Sequence, residues 1–114
     1  MRRSVAAAIA ALAASCSADR MEAVVSCSGE ICKKWGTFTT DHLSWRMDPS
    51  DGCRATDVPF MEGICIDWFE QRAHFRFSHQ ARRCLKISSK DEDYRPCDMS
   101  ECTSTVWSEV PCTW

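Results

Sequence analysis

His74-Phe75-Arg76-Phe77-Ser78-His79 alternates without a break, with Phe75 and Phe77 on one side and His74, Arg76 and Ser78 on the other. A period of two is what a strand with one buried and one wet face requires. The segment just before it is ambiguous. Met61, Ile64, Cys65, Trp68 and Phe69 fit a helical stripe. Ile64, Ile66 and Trp68 equally fit one face of a strand, with Cys65, Asp67 and Phe69 on the other. A half-buried strand at 74–79 needs an antiparallel neighbour, so 64–69 is read as that strand, joined through Glu70-Gln71-Arg72-Ala73.

Working outward, Cys84-Leu85-Lys86-Ile87 continues the pattern as a further strand. Ser88 to Arg95 reads as a charged loop carrying Asp91-Glu92-Asp93 and ended by Pro96. Val106 to Val110 reads as a closing strand, with Pro111 favouring an edge position. On the other side, Asp48-Pro49-Ser50-Asp51-Gly52 is the clearest turn, and Thr37-Phe38-Thr39-Thr40 favours strand. Residues 19–35 offer a short helix, with Cys27, Ile31 and Trp35 one turn apart, broken by Gly36. The expected fold is a small disulfide-rich α+β domain: an antiparallel sheet of about four strands, one short N-terminal helix and long cross-linked loops.

Arg2-Arg3, the uncharged run Val5–Ala14 and the small residues Ser15-Cys16-Ser17-Ala18 have the layout of a secretory signal peptide. Ten apolar residues fall well short of the roughly 20 that span a bilayer. Ala18 suits the last leader position. Ala11-Leu12-Ala13 fits the small-x-small rule better, but a cut there leaves Cys16 as a ninth thiol. The expected organisation is a signal peptide at 1–18 and a single domain at 19–114, secreted, extracellular, monomeric and without stable membrane insertion. Removing the leader moves the formal charge from −2 by two units, to −4.

Eight cysteines follow the leader: Cys27, Cys32, Cys53, Cys65, Cys84, Cys97, Cys102 and Cys112. An even count in a short exported chain reads as a framework of up to four disulfides. Their connectivity is open, although Cys65 and Cys84, on separate strands, should each anchor a loop. Zinc favours close C-x2-C pairs of reduced thiolates, and neither C-x4-C pair here has a histidine ligand nearby. No cofactor is expected. Five tryptophans and few large aliphatics suggest aromatic bulk and covalent closure in place of a deep core. Asparagine is absent, so no N-glycosylation acceptor exists.

Gly63-Ile64-Cys65-Ile66-Asp67-Trp68, Arg72-Ala73-His74-Phe75-Arg76-Phe77 and Arg83-Cys84-Leu85 precede a tail bearing Cys97, Cys102 and Trp107-Ser108-Glu109-Val110-Pro111-Cys112-Thr113-Trp114. Over about residues 60–114 this pattern resembles the small secreted cysteine-rich proteins of filamentous fungi, the class that includes effector candidates of plant pathogens. The resemblance implies export during colonisation of a host or into a competitive niche. It supplies no catalytic residues.

The most distinctive charge feature is residues 72–86, where Arg72, His74, Arg76, His79, Arg82, Arg83 and Lys86 occur with no acid among them. Such a run offers a cationic surface to a phosphate, acidic glycan or lipid headgroup. The plainer reading is a solvated strand face balanced by Asp91-Glu92-Asp93. The leading expectation is a non-enzymatic, effector-like protein binding a host or microbial protein, a glycan or another anionic ligand through this face. A killer-toxin-like antimicrobial protein is the first alternative. A small secreted ribonuclease is the second, using His42, His74 and His79 with Glu70 or Asp67. Trp35, Trp45 and Trp114 could stack on sugars or simply pack over disulfides.

Overall fold

The computed structural model describes residues 19–41, 43–92 and 101–114. Residues 1–18, read above as a leader, His42, Cys97 and residues 93–96 of the segment read as a charged loop lie outside the described residues. The fold is all-β. Eight antiparallel strands run as β1 (Arg20–Ser28), β2 (Ile31–Thr39), β3 (Ser44–Met47), β4 (Gly52–Arg54), β5 (Met61–Asp67), β6 (Arg72–Phe77), β7 (Arg83–Asp91) and β8 (Glu101–Val110). They form a single sheet in the order β3-β2-β1-β8-β7-β6-β5-β4. The α+β expectation of about four strands and a helix is therefore corrected, since no helix occurs among the described residues.

The stretch read as a helix is a hairpin. Met21 and Ala23 alternate inward and are fully buried, which is strand periodicity. Ser28 pairs with Ile31 across a two-residue turn in which Gly29 takes φ 66°. Glycine at the first turn position is the signature of a tight hairpin whose twist matches its strands. The apparent stripe of Cys27, Ile31 and Trp35 spans that turn. Cys27 instead sits directly opposite Cys32, while Ile31 and Trp35 remain exposed.

The hairpin centred on Phe75 holds: Ile64 pairs with Phe75 and Ile66 with Ala73. Strand β7 continues to Asp91, through the segment read as loop. Strand β8 lies between β1 and β7 and not at an edge. Pro111 costs no ladder bond there, because β8 ends at Val110.

The sheet is strongly curled. Strands β2 and β6 are four positions apart, or about 19 Å in a flat sheet at the usual strand spacing. Yet Phe38 on β2 meets Phe75 on β6 edge-to-face at 5.1 Å between centroids. Irregular register at Met61/Gly63 and Ile87/Ser89 supplies the local bending that bulges provide. The concave face holds the core: Met21, Phe38, Ile64, Phe75, Leu85 and Trp107, with Val58 and Met61 added from the β4–β5 side. The two edge strands, β3 and β4, are joined by the 48–51 turn. Arg54 fastens that turn by donating to the main-chain oxygens of Asp48, Ser50 and Asp51. Trp68 donates its indole N–H to Pro49 O at 2.7 Å.

Three disulfides between described residues staple this sheet. Cys27–Cys32 links β1 to β2, Cys53–Cys65 links β4 to β5, and Cys84–Cys112 fixes the C-terminal segment to β7. Cys102 is disulfide-bonded too. Cys84 does anchor an irregular segment, whereas the partner of Cys65 is on a strand. Cys27–Cys32 closes a short loop, with a sequence separation of 5, so its loss as a Cys27→Ser/Cys32→Ser pair should cost roughly 2 kcal/mol. Denaturant melts of the double variant against the parent check this value, and a loss above twice that figure would show that the bridge does more than restrict the unfolded chain.

Candidate functional site

Strand alternation sorts the basic run onto two faces. On β6, Ala73 and Phe75 are buried in the concave core, so Arg72, His74 and Arg76 face outward. On β7, Lys86 pairs with Arg72 and Cys84 with His74, which continues that outer face. Arg82 precedes β7 and is close enough to influence His74. His79 sits in the β6–β7 turn, exposed, with φ 64°. Arg83 is different. It pairs with Phe75 and turns inward, so its place in a single cationic patch is corrected: the run divides between the two sides of the sheet.

The outer face carries two shallow hollows that share His74. One, of about 400 Å³, is lined by Glu62, Gly63, Cys65, His74, Arg76 and Arg82. The other, of about 170 Å³, is bordered by Asp67, Arg72, His74, Trp114 and the Cys53–Cys65 bridge. Arg72 lies over the Trp114 ring at 5.1 Å from its centroid, and Arg82 donates to Trp114 O at 3.0 Å. The indole N–H of Trp114 is buried and has no hydrogen-bond acceptor among the described residues. Burial pushes the His74 imidazole below its ordinary pKa of 6.5, and the Arg82 charge adds to this. Arg76 has Glu62 on β5 as a loose partner at 3.6 Å.

The concave side holds a second cluster that sequence reading missed. Arg83 forms a two-pronged hydrogen-bonded pair with Glu109, from Nε at 2.8 Å and from Nη2 at 2.7 Å. Its Nη2 also lies 3.2 Å from Asp19 Oδ2. The guanidinium sits over Phe75 and Phe77, at 5.2 Å and 5.6 Å from their centroids. Asp19 is only 6% exposed. Burial raises its carboxyl pKa above the ordinary 3.8, Arg83 opposes the rise, and Glu109 and Asp41 reinforce it. The Arg83 guanidinium is held the more firmly in its charged form, first by the hydrogen bond to Glu109. A cleft of about 420 Å³ opens beside this cluster, walled by Asp41, Trp45, Val58 and Phe60. Phe60 is 80% exposed with a left-handed φ of 67°.

The signal for this cluster was present only in part. Arg83, Leu85 and Ile87 share one parity, so the buried Leu85 implies an inward Arg83. Nothing local marks Asp19 and Glu109 as neighbours, because 90 residues separate them. Of the histidines considered for RNA cleavage, His42 lies outside the described residues, His74 faces outward from β6, and His79 stands in the following turn. Trp45 packs partly buried against the core, while Trp35 is exposed. Among the described residues no group of three His, Cys, Asp or Glu side chains is placed to hold a metal ion, and no helix is long and apolar enough to cross a membrane. Comparison of the chain with known protein families, curated proteins and solved structures finds no match.

Proposed function

We propose that this is a secreted, non-enzymatic, effector-like binding protein whose outer β6–β7 face takes an anionic partner. The observation that carries the reading is the outward placement of Arg72, His74, Arg76 and Lys86 by strand register, with Arg82 beside them. Two further features support it. The hollow beside Arg72 is bordered by the Trp114 ring, over which Arg72 lies, so the guanidinium is held beside an aromatic surface. The disulfide framework suits an oxidising, extracellular setting and leaves the face rigid, which limits the ordering cost of binding.

The test uses Arg76→Glu/Lys86→Glu, because both residues are exposed and neither holds Trp114. Binding of the oxidised protein to a heparin-type sulfated glycan should weaken at least about tenfold, or roughly 1.4 kcal/mol. The parent's affinity should itself fall steeply as salt rises. Unchanged affinity in the double variant, or parent binding indifferent to salt, would remove this face from consideration.

A further inference from the structure

We propose that signal cleavage falls at the Ala18–Asp19 bond, and that the α-ammonium released on Asp19 becomes an ion-pair partner of Glu109 in the concave cluster. The inference rests on the export reading above and adds to it a defined processing site with a structural role. In the described chain the main-chain nitrogen of Asp19 already donates to Glu109 Oε1 at 2.8 Å. That distance is in the range of charge-assisted N–H···O bonds. Glu109 Oε1 also accepts from Arg83 Nη2, so the nitrogen joins the group of Asp19, Arg83 and Glu109.

Charge shows why an ammonium belongs there. The group holds two carboxylates, on Asp19 and Glu109, against the single guanidinium of Arg83. A third carboxylate, Asp41 from the β2–β3 connection, acts on Asp19 from across the cleft. With a neutral peptide nitrogen, Asp19, Arg83 and Glu109 together carry a formal net charge of −1. Hydrolysis by a signal peptidase adds water across the bond, leaving a carboxylate on Ala18 and an amine on Asp19 that takes up a proton. The group then balances. Asp19 is also only 6% exposed, and Arg20, the next residue, already pairs with Thr39 and Ser108. First residues of a domain are poorly ordered unless tied down, and this one is tied by its side chain and its nitrogen together. A cut after Ala13, the rival in the sequence, would place no charge at this position.

The consequence for pH has a definite sign. A free α-amine has a pKa of about 7.7–8.0, and pairing with the carboxylates of Glu109, Asp19 and Asp41 raises it, with Arg83 and the burial of Asp19 opposing. Its stabilising pair is complete below about pH 8 and is lost as pH rises through the folded-state value.

The experiment begins with the full chain expressed in a secretory host and N-terminal sequencing of the secreted product. Asp19 should be the first residue. At pH 7 its α-amine should react with an acylating reagent about tenfold more slowly in the folded protein than in urea, equivalent to roughly 1.4 kcal/mol of pairing that must be broken before the amine is free. Glu109→Gln should abolish this protection. Because that change also disturbs Arg83, a second variant inserts one glycine between Ala18 and Asp19, which displaces the ammonium and restores a peptide nitrogen. Its new N-terminus should react as fast folded as unfolded. A secreted chain starting elsewhere overturns the cleavage assignment while leaving export intact. A start at Asp19 with an equally reactive amine in parent and variants overturns the ion pair. A chain retained in the cell with its leader attached removes both this inference and the export reading.

Discussion

Trp107→Ala should cost about 4 kcal/mol of stability, within the range for emptying a large buried aromatic site. Trp107 is fully buried at the middle of β8, paired with Met21 on one side and Ile87 on the other. It meets Trp68 edge-to-face at 5.0 Å between centroids, an arrangement that adds to area burial alone. Its N–H donates to Thr105 Oγ1 at 2.9 Å, and that hydroxyl donates to Ala23 O at 3.2 Å. The indole is thus satisfied inside the core, and its removal leaves a cavity that a cross-linked sheet cannot readily collapse. Trp107→Phe keeps most of the volume and should lose much less, though the N–H bond goes. Denaturant melts of the oxidised proteins measure both. A Trp107→Ala loss below about 1.5 kcal/mol, no more than a small core truncation costs, would show that the concave face is not the load-carrying core.

Arg83→Met should cost about 3 kcal/mol near pH 7, because it takes from the Asp19 and Glu109 carboxylates the guanidinium that both of them face. The effect should depend on pH in a stated direction. Burial already raises the Asp19 carboxyl pKa above 3.8, and Arg83 is the group that holds it down. Without Arg83 the folded-state value climbs further, so the folded chain binds that proton more tightly than the unfolded one. The deficit should therefore be small near the unfolded carboxyl pKa and grow as pH rises above it. Melts at pH 4 and pH 7 measure the gap between parent and variant at each end. Arg76→Met is the control: its exposed pair with Glu62 should contribute well under 1 kcal/mol. An Arg83→Met deficit as small as that of Arg76→Met, or one that does not narrow in acid, would contradict the buried-cluster account.

The parts of the fold legible in the sequence were those with an unbroken local period. Phe75 and Phe77 mark β6, which in turn marks 64–69 as its partner; the strand itself runs from Met61 to Asp67. The β1–β2 hairpin was hidden because Cys27, Ile31 and Trp35 happen to recur at helical spacing. The informative signs were the glycine of Ser28-Gly29-Glu30-Ile31 and the alternation of Met21 with Ala23. The extent of β7 was hidden by its charges, since Ser88 to Asp91 lies on a solvated stretch where composition says little about backbone. For the site, parity placed His74 and Arg76 on the outer face, and the same parity would have taken Arg83 off it. The meeting of Asp19, Arg83 and Glu109 depends on β8 returning between β1 and β7, a long-range pairing with no local mark. The curl that brings Phe38 onto Phe75 is likewise a property of the whole sheet.

Peptide mapping of the oxidised, unreduced protein by mass spectrometry tests the covalently stapled, curled sheet most directly. Fragments joined through Cys27–Cys32, Cys53–Cys65 and Cys84–Cys112 are the expected result. Free thiols at these six positions in folded protein, or crossed pairs such as Cys27 with Cys65, would contradict the strand order from which both faces of the molecule have been read.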